Sequence, residues 1–368
     1  MFELTIKKQQ LLSPLLTVAG AIDKKQSLAI LSNILLKLTD AFLVLTATDL
    51  EIEITAAVPF HSHEGKGTVT VPAKKLIDII RSLDDDATPT LSFHNDVLTI
   101  KEGRSQFRLS TLSADDYPSN EGEQNEVEFS LVRSEIIRLF QSTHFAMSQQ
   151  DVRAYLNGLL LELDSQNLTT VATDGHRMAI CRQTGQLSEQ HHRLVIPRKG
   201  VQEILRLLST VSDDHINVSA GKSHFKLKTD QYSFATKLIE TRFPSYGKAI
   251  PVDQDKQVII DRDVLKRALS RIIILANEKS RAVLLHIQSG LVTLVANNQE
   301  QEEAIESMPA ETEGDEIKIG INATYLLDVL NHIEEGQLQI SLKNIDSSIL
   351  IQSLKDNQYF YIIMPMKI

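Results

Sequence analysis

Three stretches of this chain repeat one pattern at a nearly constant spacing, and this repeat restricts the possible folds more than any other feature. Each stretch has an apolar run, a small residue and then polar residues: LVLTATDLEIEI, LTTVATDGHRMAI and LVTLVANNQEQEEAI. Their anchors, Asp49, Asp174 and Asn298, lie 125 and 124 residues apart. The helical stretches VTVPAKKLIDIIRSL, LVIPRKGVQEILRLL and IGINATYLLDVLNHI keep the same spacing. Two landmarks with one period predict three copies of one domain.

Composition agrees with three ordinary domains. The chain has 368 residues, of which 42% are hydrophobic, and a third of it is close to the common domain size. It contains no run of the roughly 18 apolar residues that a membrane helix needs, and its first residues do not resemble a signal peptide. A single cysteine, Cys181, is typical of a reducing compartment. We therefore expect a cytoplasmic protein with no membrane contact.

Each copy divides into two halves with the same order of elements. A half begins with an alternating strand, continues with an amphipathic helix and ends with two or three more strands. One helix per half covers a sheet, which predicts an α+β fold in which each copy packs two helices on antiparallel sheets. Polar stretches at 118–126 and 251–256 separate the copies. The predicted domains are 1–126, 127–254 and 255–368.

Positive charge is concentrated in the predicted helices. The whole chain carries a net charge of −10, yet five of the six helical segments are net positive. Long Lys and Arg side chains can simply solvate a helix, but five equivalent helices with the same sign favour a shared basic surface that attracts phosphates. No motif for reading bases is present, so the predicted contacts are to the nucleic-acid backbone and independent of sequence.

Several strings are similar to the family of β sliding clamps of bacterial DNA polymerase III. They are TATDLEIEI, VPAKK, QDVRAYLNGLLLE, VATDGHRMA, VIPRKG, RFPSY, ANNQEQEEA, YLLDVLN and the terminal YIIMPMKI. The resemblance covers all three copies and implies three tandem DNA-clamp domains. It implies a head-to-tail homodimer that closes into a ring around duplex DNA and acts as a processivity factor. No catalytic activity and no cofactor are implied.

The resemblance also implies a set of partners. They are double-stranded DNA, a second copy of the chain, the DNA polymerase III alpha subunit, the clamp-loader delta subunit and complex, and other polymerases and repair proteins with clamp-binding peptide motifs. A pocket between the second and third domains would capture those peptides, since Met and Ile form adaptable apolar walls. Its residues would be Arg153, Tyr155, Leu156, Thr173, Gly175, His176, Arg177, Met178, Pro244, Lys248, Ala249, Asn322, Tyr325, Ser348, Ile362, Ile363, Met364, Pro365 and Met366.

Two departures from the family pattern affect this pocket. Lys248-Ala249 and Lys367-Ile368 stand where Arg-Val and Arg-Leu are familiar in the family. We expect these changes to alter the pocket volume and some of its hydrogen bonds. In the terminal segment, Tyr361 and part of the Ile pair are expected to pack inward, while Met364 to Met366 face the partner.

Residues for DNA contact and for dimer formation follow from the same resemblance. The DNA contacts would be Lys25, Lys74, Gln150, Tyr155, Arg198 and Lys199. Lys25 replaces a familiar Arg, and Ala154 replaces an aromatic residue, which leaves Tyr155 as the better stacking candidate. The dimer interface would join Lys75, Arg104, Phe107 and Leu109 of one copy to Ile274, Leu275, Glu300, Glu303 and Glu306 of the other. Gln106 stands where a basic residue is common, so one ion pair at the rim would be lost.

Other functions remain open from the residues alone. The run from Asp174 to Arg177 could be an acid–base cluster, although no nucleophile accompanies it and a turn with a binding role is favoured. His191 and His192 could hold a metal only with further ligands. A metal-dependent nuclease would have to use the acidic run EQEEAIE. A repeat scaffold that binds proteins and not DNA is the second alternative.

Overall fold

The computed structural model describes residues 1–23, 28–118, 124–185, 190–334 and 336–367. Within these ranges the chain forms six α-helices and 26 β-strands, and every strand pair among them is antiparallel. The predicted α+β fold is therefore confirmed. No helix among the described residues combines the length and the apolar character that crossing a membrane requires.

Each copy contributes two helices, as predicted. Their starts are fixed locally: Asp261 accepts a hydrogen bond from the Val264 amide, and Asn322 accepts bonds from the amides of Thr324 and Tyr325. Pro72 precedes another helix, at a position where a missing N–H costs nothing. The helices are α1 Lys8–Val18, α2 Ala73–Ser82, α3 Arg133–Gln141, α4 Arg198–Leu208, α5 Arg262–Ile272 and α6 Ala323–His332.

The chain forms two compact units, and the first contains Met1–Ser134 with Lys199–Leu238. A five-stranded sheet has the order β5-β1-β7-β8-β9, and an eight-stranded sheet has the order β10-β15-β16-β17-β4-β3-β2-β6. Their strands are β1 Phe2–Thr5, β2 Asn33–Leu38, β3 Leu43–Thr48, β4 Ile52–Val58, β5 Ser62–Gly65, β6 Gly67–Pro72, β7 Thr90–His94, β8 Val97–Glu102, β9 Ser105–Ser110, β10 Val127–Val132, β15 His215–Ala220, β16 His224–Lys228 and β17 Tyr232–Lys237.

The second unit contains Glu135–Arg198 with Ile239–Ile368. A nine-stranded sheet has the order β14-β11-β12-β13-β26-β25-β24-β18-β22, and a four-stranded sheet has the order β21-β20-β19-β23. Their strands are β11 Gly158–Leu163, β12 Asn167–Thr173, β13 Arg177–Thr184, β14 His192–Pro197, β18 Lys256–Asp261, β19 Ala282–Gln288, β20 Leu291–Asn297, β21 Glu303–Pro309, β22 Glu311–Glu313, β23 Ile317–Asn322, β24 Gln337–Leu342, β25 Ile349–Ser353 and β26 Tyr359–Ile363.

The repeat is visible in the strand register. The strand that leads into the second helix of each copy pairs antiparallel with an earlier strand of the same copy. In β2–β6, β11–β14 and β19–β23 the equivalent pairs are Asn33 with Pro72, Gly158 with Pro197, and Ala282 with Asn322. Three equivalent registers show that the sequence period is also a structural period.

The polar anchors of the repeat stabilise one kind of turn. Asp49 accepts hydrogen bonds from the amides of residues 51 and 52 at 2.9 and 2.8 Å. Asp174 does the same for residues 176 and 177 at 2.9 and 3.0 Å, and Asn298 accepts from residues 300 and 302. A short side-chain acceptor that binds nearby amides favours a tight turn. All three copies therefore have a side-chain acceptor at this turn, and the turn of the third copy is one residue longer.

Two strands were not predicted from the sequence. Strand β5 pairs with β1, and β22 pairs with β18. Both are short, mostly exposed, and free of the apolar alternation that indicates a half-buried strand. The eight- and nine-stranded sheets each combine strands from two neighbouring predicted domains. The boundaries at 126 and 254 therefore stay a prediction.

Candidate functional site

The second compact unit has a buried apolar cluster that includes Ile362 of the predicted peptide pocket, and the predicted residues Tyr155 and Met178 pack against it. The side chains of this cluster are buried and come from strands β11 to β14, strand β26 and the segment that contains Phe243. They are Leu160, Val171, Ile180, Val195, Phe243, Phe360 and Ile362. Half-buried hydrophobic residues pack against them, namely Tyr155, Met178, Ile239, Tyr246, Ile250 and Leu350. A layer of half-covered apolar side chains on a rigid floor is suited to an apolar ligand.

The C-terminal segment forms one edge of this apolar surface. Strand β26 pairs with β13, and the amide of Met364 then donates to the carbonyl of His176 at 2.9 Å. Both members of the Ile pair, Ile362 and Ile363, are at most 3% exposed, whereas only part of the pair was expected to pack inward. Met364 is 49% exposed. Among the described residues of this segment, Met364 therefore has the most exposed apolar side chain.

The loop from Thr173 to Arg177 forms a second edge. Gly175 has φ +89°, a conformation that favours glycine, and a Cβ added there would lie 3.3 Å from a guanidinium nitrogen of Arg153. Arg153 itself donates two hydrogen bonds of 3.0 Å to Asp151. These bonds hold the pKa of Asp151 at about 2. Arg153 and Gly175 lie close together, but the Arg153 guanidinium is already paired with Asp151.

Helix α6 carries two more of the predicted pocket residues. Asn322 uses its side chain to cap this helix, and its amide group donates to the carbonyl of Ser280. Tyr325 lies on the first turn and stacks on His176, with ring centroids 6.5 Å apart. Asn322 therefore fixes the start of the helix, and Tyr325 presents an aromatic surface beside the loop.

The segment from Phe243 to Ala249 forms a third edge. Phe243 is buried, while Pro244, Lys248 and Ala249 are exposed. The hydroxyl of Tyr246 donates to Glu162 on strand β11 at 2.5 Å, which fixes the segment against the sheet. Among the remaining predicted residues, Leu156 and Thr173 are buried beneath the surface, and Ser348, Pro365 and Met366 are half-buried.

A cavity of about 600 Å³ lies beside the loop and helix α6. It brings together His176, Arg177 and Tyr325 from the predicted pocket and Arg198 from the predicted DNA contacts. It is also lined by residues that are not among the predicted site residues, namely His144, Phe145, Asp328 and His332. The sequence also did not indicate Glu162, which accepts the hydrogen bond from Tyr246. Contacts between residues far apart in sequence depend on tertiary packing, so no local sequence pattern predicts them.

The predicted DNA-contact residues differ in how available they are. Lys74 and Gln150 are exposed, and Arg198 donates to the carbonyl of Met147 at 3.0 Å. Lys199 is paired with the carboxylates of Asp23 and Asp49. Burial opposes the charge of Lys199, but these two carboxylates raise its pKa above the ordinary value. Lys25 lies outside the described residues.

Several other helix cations are bound within the chain. Lys8 is buried and donates to the carbonyl of Leu83 and to Asp85, and Arg271 donates two hydrogen bonds to Glu306. The formal charge of the helices therefore overestimates their available positive surface. Other helix arginines that contact their own chain are Arg138, Arg206 and Arg262.

The predicted dimer residues lie at two sheet edges. Strand β9 ends the five-stranded sheet, and strand β21 ends the four-stranded sheet. Around β9, Lys75 and Arg104 are exposed, Phe107 is half-buried and Leu109 is 8% exposed. Near β21, Ile274 is 74% exposed and Glu300 and Glu303 are exposed, whereas Leu275 and Glu306 are half-buried. Glu306 pairs with Arg271 of the same chain.

In the described ranges no group of three or more His, Cys, Asp or Glu side chains is arranged to hold a metal ion. Cys181 is fully buried, and burial raises the pKa of its thiol to about 11. His191 contacts Glu162 at 2.9 Å and is itself exposed. These residues have structural partners in the folded chain.

Comparisons with known proteins match the whole length of the chain to one family. Family models for the N-terminal, central and C-terminal domains of the DNA polymerase III beta subunit match residues 2–121, 130–245 and 247–367. The beta sliding clamp of Pseudomonas aeruginosa is 42% identical over 99% of both chains, and that of Escherichia coli K12 is 39% identical over 99% of both.

Solved structures give the same result. The crystal structure of the DNA polymerase III subunit beta from Pseudomonas aeruginosa has a TM-score of 0.97 and 41% identity, with both chains fully covered. A sliding clamp of the same organism bound to griselimycin has a TM-score of 0.96 and 42% identity, again over the full length of both. The chain belongs to the DNA polymerase III beta subunit family, the beta sliding clamps.

Proposed function

We propose that this protein is a DNA polymerase processivity factor. Two copies associate head to tail into a ring that encircles duplex DNA, slides without sequence specificity and tethers the replicative polymerase. The tether makes re-binding of the polymerase an intramolecular event, so a modest affinity is amplified by a high effective concentration. The observation that carries the proposal is the apolar surface around Met364, set in a chain that belongs to the clamp family.

The peptide pocket of this proposal has three edges on one floor. They are the Met364 segment, the loop at Gly175 and the segment of Lys248 and Ala249, above the buried cluster that contains Ile362. An apolar peptide residue would cover the half-buried side chains of the floor, and nearby polar groups would bind a Gln side chain. The similar clamp that binds griselimycin supports a ligand site in this family.

Association of two copies would use the edge strands β9 and β21. Each carries unpaired backbone groups on its outer side, which are a template for pairing with another chain. The basic residues Lys75 and Arg104 near β9 would face the acidic Glu303 on β21, with Phe107 and Ile274 as apolar contacts. Such a contact joins two different surfaces, one from each copy. It produces a closed ring only if the rotation that relates one copy to the next returns to the first copy.

DNA contact would be electrostatic. Lys74 and Gln150 are exposed for direct contact with phosphates. Lys199 would have to exchange its intramolecular carboxylate partners for a phosphate, so its contribution is expected to be smaller than that of Lys74.

The ring is tested by topology. The protein would be loaded onto a nicked circular plasmid by clamp loader, washed with moderate salt and then released by linearising the plasmid. A ring remains on the circle and leaves the linear product, whereas a groove binder responds mainly to salt. Equal retention on circular and linear DNA would contradict the proposal. Loss of intact circles with Mg²⁺ alone would favour the nuclease alternative.

The pocket is tested with a peptide that contains a Gln-Leu motif. Removing residues 364–368 is expected to abolish peptide binding and to leave the dimer intact, as measured by anisotropy and sedimentation. Met364→Ala should weaken binding about tenfold, since its apolar contact is lost. Leu354→Ala is the matched control, because Leu354 is 48% exposed but lies outside the proposed pocket. Equal effects of the two substitutions would contradict the assignment.

A further inference from the structure

Arg177 joins three separate elements at the cavity beside the proposed pocket. Its guanidinium donates to Asp174 at 3.1 Å, to Asp328 on helix α6 at 2.6 Å and to the carbonyl of Phe145 at 2.9 Å. The guanidinium carbon also lies 4.6 Å from the ring centroid of Tyr325 and 5.4 Å from that of Phe145. With its side chain 11% exposed, Arg177 is suited to hold these elements together more than to contact a ligand.

Two histidines pack against the same assembly. The ring of His332 stacks on Phe145 at a centroid distance of 4.1 Å and an angle of 16°, and His144 meets His332 edge-on at 5.8 Å. The Nδ1 atom of His332 lies 2.7 Å from the carbonyl of Asp328, and that of His144 lies 3.1 Å from the carbonyl of Phe140. Both rings are therefore fixed in position by stacking and hydrogen bonding.

The surroundings of the pair disfavour a positive charge. Burial and then the neighbouring histidine lower the pKa of His144, whereas burial is the main cause that lowers the pKa of His332. The charged groups around the pair come from several elements of the same compact unit. The cations are Arg177, Arg198 and Lys266, and the carboxylates are Asp328, which favours the charged form of His332, and Asp174, which is paired with Arg177.

We propose that His144 and His332 are positioning residues that make peptide binding at the partner-peptide pocket depend on pH. In the closed state, Arg177 holds the loop from Thr173 to Arg177, helix α6 and Phe145 together, and proton uptake by the histidine pair weakens these contacts. This inference rests on the proposed peptide pocket. A proton on His332 places a second cation beside Arg177, because the guanidinium of Arg177 and the ring of His332 both lie against the ring of Phe145. The repulsion separates α6 from the loop, and the stacking of Tyr325 on His176 is lost.

The direction of the effect follows from the sign of the pKa shift. Because folding lowers the pKa of both histidines, the unfolded or loosened state binds protons more readily than the closed state. The closed state is fully favoured above the ordinary histidine pKa of about 6.5. It loses stability as the pH falls through the lower pKa that the histidines have in the folded protein. Peptide affinity should therefore decrease below about pH 6.5.

The test measures peptide affinity by anisotropy from about pH 8 to about pH 5.5. The probe is a rhodamine-labelled Gln-Leu peptide without side chains that titrate in this range. For the full-length protein we expect binding to weaken at least about threefold at the lower pH, because the folded environment lowers the pKa of both histidines and proton uptake therefore favours the loosened state. In the double variant His144→Gln/His332→Phe, which keeps a ring on Phe145 but cannot titrate, the affinity should be nearly independent of pH.

Two control variants separate the causes. His94→Gln changes an exposed histidine of the other compact unit and should keep the full pH dependence. His176→Gln removes an imidazole ring of the proposed pocket itself and should change the affinity but keep the pH slope. If the slope disappears in His176→Gln and persists in the double variant, the inference is wrong. If the unmodified protein does not bind the peptide even near pH 7.5, the proposed pocket itself is wrong.

A second measurement uses the unmodified protein, so it does not depend on the folding of a variant. The imidazole signals of His332 and the Nε–H signal of Arg177 would be followed by NMR during a pH titration. We expect the Arg177 signal to shift with the same midpoint as His332 and to broaden as its hydrogen bonds open. An Arg177 signal that stays constant while His332 takes up its proton would overturn the inference.

Discussion

The repeated turn allows one prediction in which the chain supplies its own controls. Asp49 and Asp174 cap equivalent turns, and each also pairs with a cation, Lys199 or Arg177. The third copy has Asn298 at this position and keeps the amide bonds without an ion pair of that kind among the described residues. Asp→Asn should therefore preserve the turn and remove only the ion pair, whereas Asp→Ala should remove both.

The magnitudes follow from the local environment. The side chains of Asp174 and Arg177 are 15% and 11% exposed, and those of Asp49 and Lys199 are 2% and 29% exposed. Such pairs lie between a surface and a buried ion pair, so Asp→Asn should cost about 1 to 3 kcal/mol. Loss of the acceptor for two backbone amides in Asp→Ala should add about 1 kcal/mol.

The assay combines urea unfolding with peptide anisotropy for all four variants. The urea midpoint should fall in the order unmodified, Asn, Ala at both positions. Peptide binding should weaken only in the two Asp174 variants, because Asp174 binds the Arg177 guanidinium that holds the loop and helix α6 together beside the proposed pocket. Equal destabilisation by Asn and Ala would refute the role of acceptor geometry. Equal loss of peptide binding in Asp49→Ala would show a general effect of instability.

Three further experiments test particular features of the structure. Leu50 has φ +78°, so Leu50→Gly should stabilise the fold by about 1 kcal/mol. Gly175 also has a positive φ, so Gly175→Ala should destabilise the fold by at least as much. A higher thermal midpoint for Gly175→Ala than for Leu50→Gly would contradict both expectations. Cys181 is buried with a pKa of about 11, so at pH 8 it should react slowly with an aromatic disulfide and rapidly in urea; equal rates would contradict its burial. Tyr246→Phe removes the hydrogen bond to Glu162 and should weaken peptide binding about fivefold by calorimetry. An unchanged affinity would show that apolar packing alone holds the segment.

The fold was largely predictable because its signals are local and repeated. Alternating strands, amphipathic helices and their order recur six times, and errors in one half are corrected by comparison with the others. The turn acceptor Asp174 could be found by this route, since its spacing from Asp49 is the spacing of the domains. Strands β5 and β22 could not, because an exposed edge strand needs no apolar pattern and is defined by its neighbour.

The candidate site was less predictable, because its important pairings join residues far apart in sequence. A count of helix charges cannot show that Lys199 is paired with Asp23 and Asp49, or that Lys8 is buried against Asp85. The family resemblance named Arg177 as a pocket residue, but it could not show that all three of its guanidinium nitrogens donate hydrogen bonds within the fold. A sequence gives the identity of a cation, whereas its availability to a ligand depends on tertiary packing.

These pairings give a physical reason for where the three copies differ. A turn that only closes a sheet needs an acceptor, and Asn298 is sufficient for it. A turn that must also hold a neighbouring element needs a charge, since the carboxylate can bind amides with one oxygen and a cation with the other, as Asp174 does with Arg177. Asp49 does the same with Lys199. The carboxylate therefore marks the two turns at which a distant element is fixed, and the one beside Gly175 is also the one that faces the proposed pocket.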